Sequence, residues 1–177
     1  IRLVGEFVTN AVGLANSTAK ATREFENFLG STEAAAGAVA DLTALAGEKL
    51  LNTQDVLDAG KGLLAFGEGA DNLVPVLSRI ADVSAATGKN FNELTTIYGK
   101  ARTAGVLYAE DINQLVDAGI PISQEFATQM GVSNDQVKKL ASEGKISFEE
   151  LQLAMFNLTA EGGKFAGAAT AQANELT

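Results

Sequence analysis

The stretch LVPVLSRIADV, residues 73–83, carries the clearest helical pattern in the chain. Its large apolar residues recur at i, i+3, i+4, i+7 and i+10, the spacing that places side chains on one face of an α-helix. These residues are Leu73, Val76, Leu77, Ile80 and Val83. Pro75 falls in the first turn, where a missing N–H removes no intrahelical hydrogen bond. The pattern predicts a helix over about residues 72–87.

Similar apolar spacing continues on both sides of this helix, interrupted by Gly, Ser and Asn residues that begin or end helices. The further predicted helices cover residues 1–29, 31–50, 52–66, 90–105, 109–118, 122–130, 134–143 and 147–158. No segment alternates with period two for long enough to predict a strand, and residues 106–108 are an extended link at most. The sequence therefore predicts an all-α fold, a compact multi-helix domain of about eight or nine mostly short helices with a long N-terminal helix.

Three regions are expected along the chain. Residues 1–50 form a long helical lead-in and the second helix, residues 51–160 a globular helical domain, and residues 161–177 a Gly- and Ala-rich weak helix, tail or linker. At 1.5 Å per residue the first helix would reach about 40 Å, which is longer than a compact domain of this size requires. Its beginning is therefore expected to project from the core or to pack on another chain. The missing initial Met suggests a fragment of a longer protein.

The composition removes most catalytic chemistry. The 177 residues include no His, Cys or Trp, and the formal net charge is −9. Without His and Cys there can be no Ser-His-Asp triad, Cys-His pair or thiolate zinc site, so only carboxylate, Lys or Tyr chemistry remains. The acidic surface disfavours nucleic acid and anionic membranes. We expect no enzyme, no catalytic, cofactor-binding or metal-binding residues, and no cofactor.

The sharpest local motif runs from Ser123 to Ala141 and has the spacing of a helix-turn-helix. The residues that carry this spacing are Phe126, Ala127, Met130, Gly131, Val132, Val137 and Leu140. A DNA-binding regulator that uses residues 123–141 is therefore the alternative function. Residues 121–143 are net negative and hold no arginine, however, and phosphate contacts supply most non-specific affinity for DNA. A tight helical corner that fills a core is the favoured interpretation.

The other polar motifs fit structural roles. The acidic pairs Glu110-Asp111 and Glu149-Glu150 each lie in the first turn of a predicted helix, where the helix dipole favours negative charge. A glycosidase would need two carboxylates that face each other across a cleft. Adjacent residues on a helix point in different directions and cannot provide such a pair. Glu68, Asp71 and Asn72 near two glycines loosely suggest calcium, but their spacing misses the EF-hand pattern. The Gly-Lys dipeptides lack the remainder of a phosphate loop.

The order of the capping and turn motifs resembles the tape measure domain near the N-terminus of bacteriophage and prophage tail tape measure proteins. The resemblance covers about residues 50–165, and the order and spacing of its stretches are more specific than any one of them. The stretches are LLAFG (63–67), VPVL (74–77), IADV (80–83), ATG (86–88), NEL (92–94), IYG (97–99), DINQL (111–115), AGIPI (118–122), MGVS (130–133) and SEGKIS (142–147).

This resemblance implies a non-enzymatic, structural role in tail tube assembly and tail length determination. It implies a place in the virion tail, and in the bacterial cytoplasm during assembly. The implied partners are other tail proteins, namely the tube, chaperone, and tip or baseplate proteins, with neither nucleic acid nor membrane expected for this segment. The chain lacks the long helical rod of a complete member, so it cannot itself measure a tail. We further hypothesise that the apolar side of residues 3–29 mediates self-association.

Overall fold

The computed structural model describes the backbone of residues 2–176 and the side chains of residues 12–176. This part of the chain holds ten α-helices, a 3-10 turn over Ala70–Asn72 and two strands of two residues each. The helices are α1 (Arg2–Leu29), α2 (Thr32–Glu48), α3 (Thr53–Ala65), α4 (Leu73–Thr87), α5 (Phe91–Ala104), α6 (Ala109–Asp117), α7 (Ile122–Met130), α8 (Asn134–Ser142), α9 (Phe148–Thr159) and α10 (Ala168–Glu175). The predicted all-α class is confirmed, with one helix more than the eight or nine expected.

Side chains at the helix boundaries explain why the predicted and observed helices agree. Ser31, Asn52 and Asn90 each accept a hydrogen bond from a backbone N–H in the first turn of the helix that follows. Such a cap satisfies one of the N–H groups that a helix start leaves without an intrahelical acceptor. At the other end, Gly88 and Gly105 stop α4 and α5 with left-handed backbone angles. These local signals can be read directly from the sequence.

Helix α4 lies at the centre of the molecule. It contacts α2, α3, α5, α9 and α10. Leu77, Ile80 and Val83 are completely buried, as the apolar spacing of residues 73–83 predicts. Pro75 is exposed in the first turn of the helix. Five helices are therefore arranged around the segment with the strongest helical pattern.

The link at residues 106–108 pairs with a second short strand, a point that the sequence leaves open. Strand β1 (Val106–Leu107) runs antiparallel to β2 (Ile146–Ser147), with Leu107 opposite Ile146. Both of these side chains are completely buried. The pair joins the start of α6 to the start of α9, and it thereby fixes the corner formed by α7 and α8 against the rest of the domain.

The Gly- and Ala-rich segment 161–177 is packed against the domain over its described part. Gly163 lies so close to the end of α9 that a Cβ there would stand 2.3 Å from the Asn157 carbonyl oxygen. Phe165 is buried, and its N–H donates to the Leu158 carbonyl oxygen. Helix α10 then lies on α4 with Ala169 and Ala173 buried. The expected weak helix is thus seated on the most central helix of the fold.

Among the described side chains of helix α1, those of its second half join the core. Phe25 is 1% exposed and Ala21 is 4% exposed, and both belong to the common hydrophobic cluster. The sequence also placed Val12 and Ala15 on the apolar side, and both are exposed. The side chains of the remaining positions predicted for that side, Val4, Val8 and Ala11, lie outside the described residues. Within the described part of α1, packing against this chain therefore begins near residue 21.

Candidate functional site

Two polar networks contain the charged side chains that are buried among the described residues. In one of them, the carboxylate of Glu68 lies 3.5 Å from Arg102 Nε and accepts hydrogen bonds from the Gly69 N–H and from Asn72. Arg102 also donates to the Gly67 carbonyl oxygen. These contacts tie the turn after α3 to helix α5. Glu68, which the sequence loosely grouped with Asp71 and Asn72 as calcium ligands, is thus paired with an arginine.

Tyr98 lies near this network, and its side chain is buried. Its ring packs edge-on against Phe148 with the centroids 5.0 Å apart, and Gln152 donates to its hydroxyl oxygen. Burial raises the pKa of Tyr98 above its ordinary value because an ionised phenol is poorly solvated there. The side chain is therefore a neutral phenol at physiological pH and is poorly suited to act as a general base.

The acidic pairs singled out from the sequence point their members in different directions. Asp111 accepts a hydrogen bond from the Tyr108 N–H, and Glu150 accepts one from the Ser147 N–H. Their neighbours Glu110 and Glu149 are exposed. One carboxylate of each pair is engaged at a helix start, as expected. Among the described residues, no three His, Cys, Asp or Glu side chains are grouped closely enough to hold a metal ion.

The corner between α7 and α8 has the packing that its helix-turn-helix spacing predicts. Gly131 has a φ of +66°, which favours glycine, and the Val132 N–H donates to the Ala127 carbonyl oxygen. Phe126 and Val137 are completely buried between the two helices. The exposed face of α8 carries Lys138 beside Asp135, with their charged atoms 4.0 Å apart. The corner contributes to the core, and its surface mixes both signs of charge.

The second buried network, which we call the clasp, consists of Lys49, Asp82 and the first turn of α10. Lys49 Nζ lies 3.4 Å from Asp82 Oδ1 and 3.2 Å from Thr170 Oγ1. The same Asp82 oxygen accepts a hydrogen bond of 3.0 Å from the Ala169 N–H. Lys49 and Asp82 are 8% and 5% exposed, respectively. The clasp joins the end of α2, the middle of α4 and the start of α10, and it did not emerge from the sequence because its partners lie far apart along the chain.

The N-terminal groove, between α1 and α2, is the clearest candidate for contact with another molecule. It encloses about 540 Å³ and is open to solvent. Small and uncharged residues line it, namely Thr18, Thr22, Ala36, Val39, Ala40, Thr43 and Ala44. One turn before the groove, Val12 and Leu14 are 54% and 46% exposed. Among the described side chains of α1, this apolar surface belongs to those that pack least against the chain itself.

The threonine hydroxyls of the N-terminal groove already have hydrogen-bond partners. Thr22 Oγ1 donates to the Thr18 carbonyl oxygen at 2.9 Å, and Thr43 Oγ1 donates to the Val39 carbonyl oxygen at 2.7 Å. Thr18 Oγ1 donates likewise to carbonyls of its own helix. A molecule that covered the groove would therefore leave none of these hydroxyl donors unsatisfied, and apolar contact would be sufficient.

Within residues 2–176, no helix combines the length and the apolarity needed to span a bilayer.

Comparison with known proteins places this architecture in a family. The tape measure protein family model matches residues 9–177. Proteins described as probable tape measure proteins of Lactococcus phages p2 and SK1 are each 26% identical over 175 residues, covering 92% of this chain and 18% of their own length. The tape measure protein of Lactococcus phage F4-1 is 27% identical over 120 residues, which is 63% of this chain and 33% of that protein. No solved structure matches.

The chain thus spans about a fifth of the length of the p2 and SK1 proteins that it resembles. The match extends the resemblance seen in residues 50–165 in both directions, into α1 and α10. Since the family model covers nearly the whole chain, the chain belongs to the tape measure protein family.

Proposed function

We propose that this chain is a structural assembly module of a phage tail tape measure protein, a protein that as a whole is involved in tail tube assembly and tail length determination. The observation that carries the proposal is the family match over residues 9–177. The engagement of Glu68, Asp111 and Glu150 in helix caps and loop contacts supports a structural role rather than catalysis. The proposed sites of action are the bacterial cytoplasm during assembly and the tail of the finished virion.

Within that role, the domain acts as a compact block and not as the ruler itself. A helical rod advances 1.5 Å for each residue, whereas a folded block adds little length for the residues that it contains. Five of the helices in the described residues pack against α4, and the others pack on those five or on one another. We therefore assign tail length to other parts of the full protein and assign to this block the contacts with tube, chaperone, and tip or baseplate proteins.

Electron microscopy of phage particles tests both statements. In a phage that encodes this sequence, an in-frame deletion of the codons for residues 30–177 is expected to abolish complete tails. A genome with synonymous codons over the same region serves as the control. Tails of normal length and yield from the deletion would contradict the assembly role. Tails shortened by about 1.5 Å for each deleted residue would show that the segment is an extended part of the ruler.

We also propose that the block associates with a second copy of itself through the N-terminal groove and the exposed part of α1. Two copies that each carry a net charge of −9 repel one another, so a stable contact needs an uncharged surface. The residues lining the groove carry no charge. The sequence predicts self-association through the apolar side of residues 3–29. The present proposal is limited to the groove and to α1 from residue 12 onward, because the side chains of residues 3–11 lie outside the described residues.

A charge placed in the groove tests the self-association. Ala40→Arg is expected to convert an oligomer to a monomer in multi-angle light scattering, because a guanidinium would have to be buried in the contact. Ala104→Arg, at an exposed alanine of α5, is the matched control and should leave the mass unchanged. This design is sharper than removal of residues 1–29, which would also remove the core residue Phe25. A parent protein that is monomeric at its highest soluble concentration would contradict the proposal.

A further inference from the structure

Helix α10 is attached to the domain in a different manner from the other helices. Its buried side chains are the alanines Ala169 and Ala173. An alanine offers a single methyl group, so the burial of two alanines contributes much less than the burial of one leucine or phenylalanine. With eight residues, α10 is also shorter than the roughly 12–15 residues at which an isolated helix becomes even marginally stable in water. Its helical state therefore depends on docking.

Polar contacts supply much of that docking. The Asp82 carboxylate accepts the Ala169 N–H, one of the N–H groups that the start of α10 cannot satisfy within the helix. The negative charge of Asp82 also lies at the positive end of the α10 dipole. Lys49 adds the hydrogen bond to the Thr170 hydroxyl. Helix α10 is therefore capped by an aspartate from α4 in place of a residue of its own segment.

The clasp can also lose α10 without leaving a buried charge alone. Lys49 and Asp82 form an ion pair with their charged atoms 3.4 Å apart, and neither residue belongs to α10. When α10 leaves, water can replace the two contacts that it made with the pair. The surface uncovered on α4 includes the small residues Ala81 and Ala85, which line a cleft of about 350 Å³ together with Ala169 and Ala173 of α10. Leu51 and Phe91 line the same cleft, so release of α10 uncovers some apolar area, although far less than unfolding of the whole domain does.

A glycine in a left-handed conformation lies immediately before the helix. Gly167 has a φ of +63°, a conformation that glycine adopts without the cost borne by other residues. Phe165, two residues earlier, is buried and holds the preceding loop to α9 through its hydrogen bond to the Leu158 carbonyl oxygen. Movement at Gly167 would thus free α10 while the loop stays in place.

We propose that α10 is a releasable latch, held against α4 by the clasp, which opens while helices α2 to α9 remain folded. The latch sets the direction in which the chain leaves the domain after residue 167. In the closed state, the chain is directed along α4. In the open state, it is free to reorient, and the α4 face with Asp82 becomes accessible to solvent.

Native-state hydrogen exchange of the intact 177-residue protein tests the latch. The backbone amides of Ala171–Glu175 are expected to exchange at least tenfold faster than those of Ile80–Val83, and low urea concentrations should leave their rates unchanged. Exchange through local opening is insensitive to denaturant, whereas exchange through global unfolding accelerates with it. Equal rates in the two helices with the same urea dependence would overturn the proposal.

Two variants identify the clasp as what holds the latch, with the ratio of α10 exchange to α4 exchange as the readout. Thr170→Val removes the hydroxyl that Lys49 contacts, and the ratio should rise about fivefold, as expected for loss of one hydrogen bond. Asp82→Asn removes the charge, and the ratio should rise roughly tenfold or more, since hydrogen bonds to charged groups are stronger. A general loss of stability accelerates the α4 amides and lowers this ratio, so a rise in the ratio reports opening of α10.

Thr128→Val is the matched control for the threonine change. Thr128 is exposed on α7 and donates to the Gln124 carbonyl oxygen of its own helix. Its substitution should leave the ratio unchanged. A ratio of α10 to α4 exchange that stays constant in Thr170→Val would overturn the role of the clasp. If Asp82→Asn does not fold, Thr170→Val alone tests that role.

Discussion

Helices α4 and α10 lie against each other, yet different forces hold them. Helix α4 has 15 residues, and its buried face includes Leu77, Ile80 and Val83. Helix α10 has eight residues and buries two alanines. A fully buried Leu, Ile or Val contributes about 1.5–3 kcal/mol, whereas a single methyl group contributes only about 0.8 kcal/mol. If α10 opens separately, as we propose, then contact with the centre of a fold does not by itself make a segment part of its cooperative core.

The largest expected effect is at the centre of α4. Leu77→Ala should lower the free energy of unfolding by about 3 kcal/mol, because it removes buried methylene and methyl groups and leaves a cavity. Leu77 is 0% exposed. Urea denaturation followed by circular dichroism measures this loss. A change below about 1 kcal/mol would show that α4 is not the centre of the cooperative unit.

A matched pair of alanine substitutions sharpens the contrast between the two helices. Ala81→Gly in α4 should cost about 1.5 kcal/mol in global stability, through lost helix propensity and a lost buried methyl group. Ala173→Gly makes the same chemical change in α10, and its global effect should stay below about 0.5 kcal/mol if α10 opens separately. Ala81 and Ala173 are 1% and 7% exposed, so they are closely comparable. Equal global losses, measured by urea denaturation, would contradict the distinction.

The caps of α9 and α10 give a third comparison. Helix α9 begins at a local cap, in which Ser147 Oγ accepts the Glu150 N–H at 3.3 Å. Helix α10 is capped instead by Asp82 of α4, which accepts the Ala169 N–H and is distant from it in the sequence. Ser147→Ala should lower the global free energy of unfolding by about 1 kcal/mol, because α9 belongs to the core. Thermal unfolding with Ser142→Ala as the control for an exposed serine would measure it. An unchanged midpoint would mean that α9 unfolds separately or that the cap is dispensable.

The smallest expected effect concerns the ion pair between α1 and α3, where Lys61 Nζ lies 2.8 Å from Glu24 Oε2. The hydrogen bond from Lys61 holds the pKa of Glu24 below its ordinary value. Since the folded-state pKa is lowered, the pair stabilises the fold above the ordinary glutamate pKa, and this contribution is lost as the pH falls through the lowered value. The carboxyl resonance of Glu24 should titrate at higher pH in Lys61→Met than in the parent. Identical titration curves would show that the pair has no influence in solution.

The parts of the fold that the sequence predicts are those governed by local chemistry. The caps at Ser31, Asn52 and Asn90 and the left-handed glycines each act within a few residues, so helices α2 to α9 could be placed to within one or two residues. The α7–α8 corner also follows from local spacing, because a small residue and a glycine in sequence permit the close approach of the two helices.

The features that could not be predicted join distant residues. Strand β1 is too short to show alternation, and its partner lies about forty residues later in the sequence. The clasp links Lys49, Asp82 and Ala169, none of which falls in a recognisable motif. The N-terminal groove likewise arises only when α1 and α2 are placed side by side. An alanine-rich segment such as α10 has no periodic pattern of large apolar residues, so the sequence does not predict its docking on α4.

The central claim is that this domain is a structural component of a phage tail, and peptide mass spectrometry of purified tails tests it most directly. Particles from a phage that encodes this sequence would be purified, their tails separated from the heads, and both fractions digested. The account predicts peptides from this sequence in the tail fraction, at a constant ratio to the tube protein across preparations. Peptides absent from tails and recovered only from the host cytoplasm would contradict it.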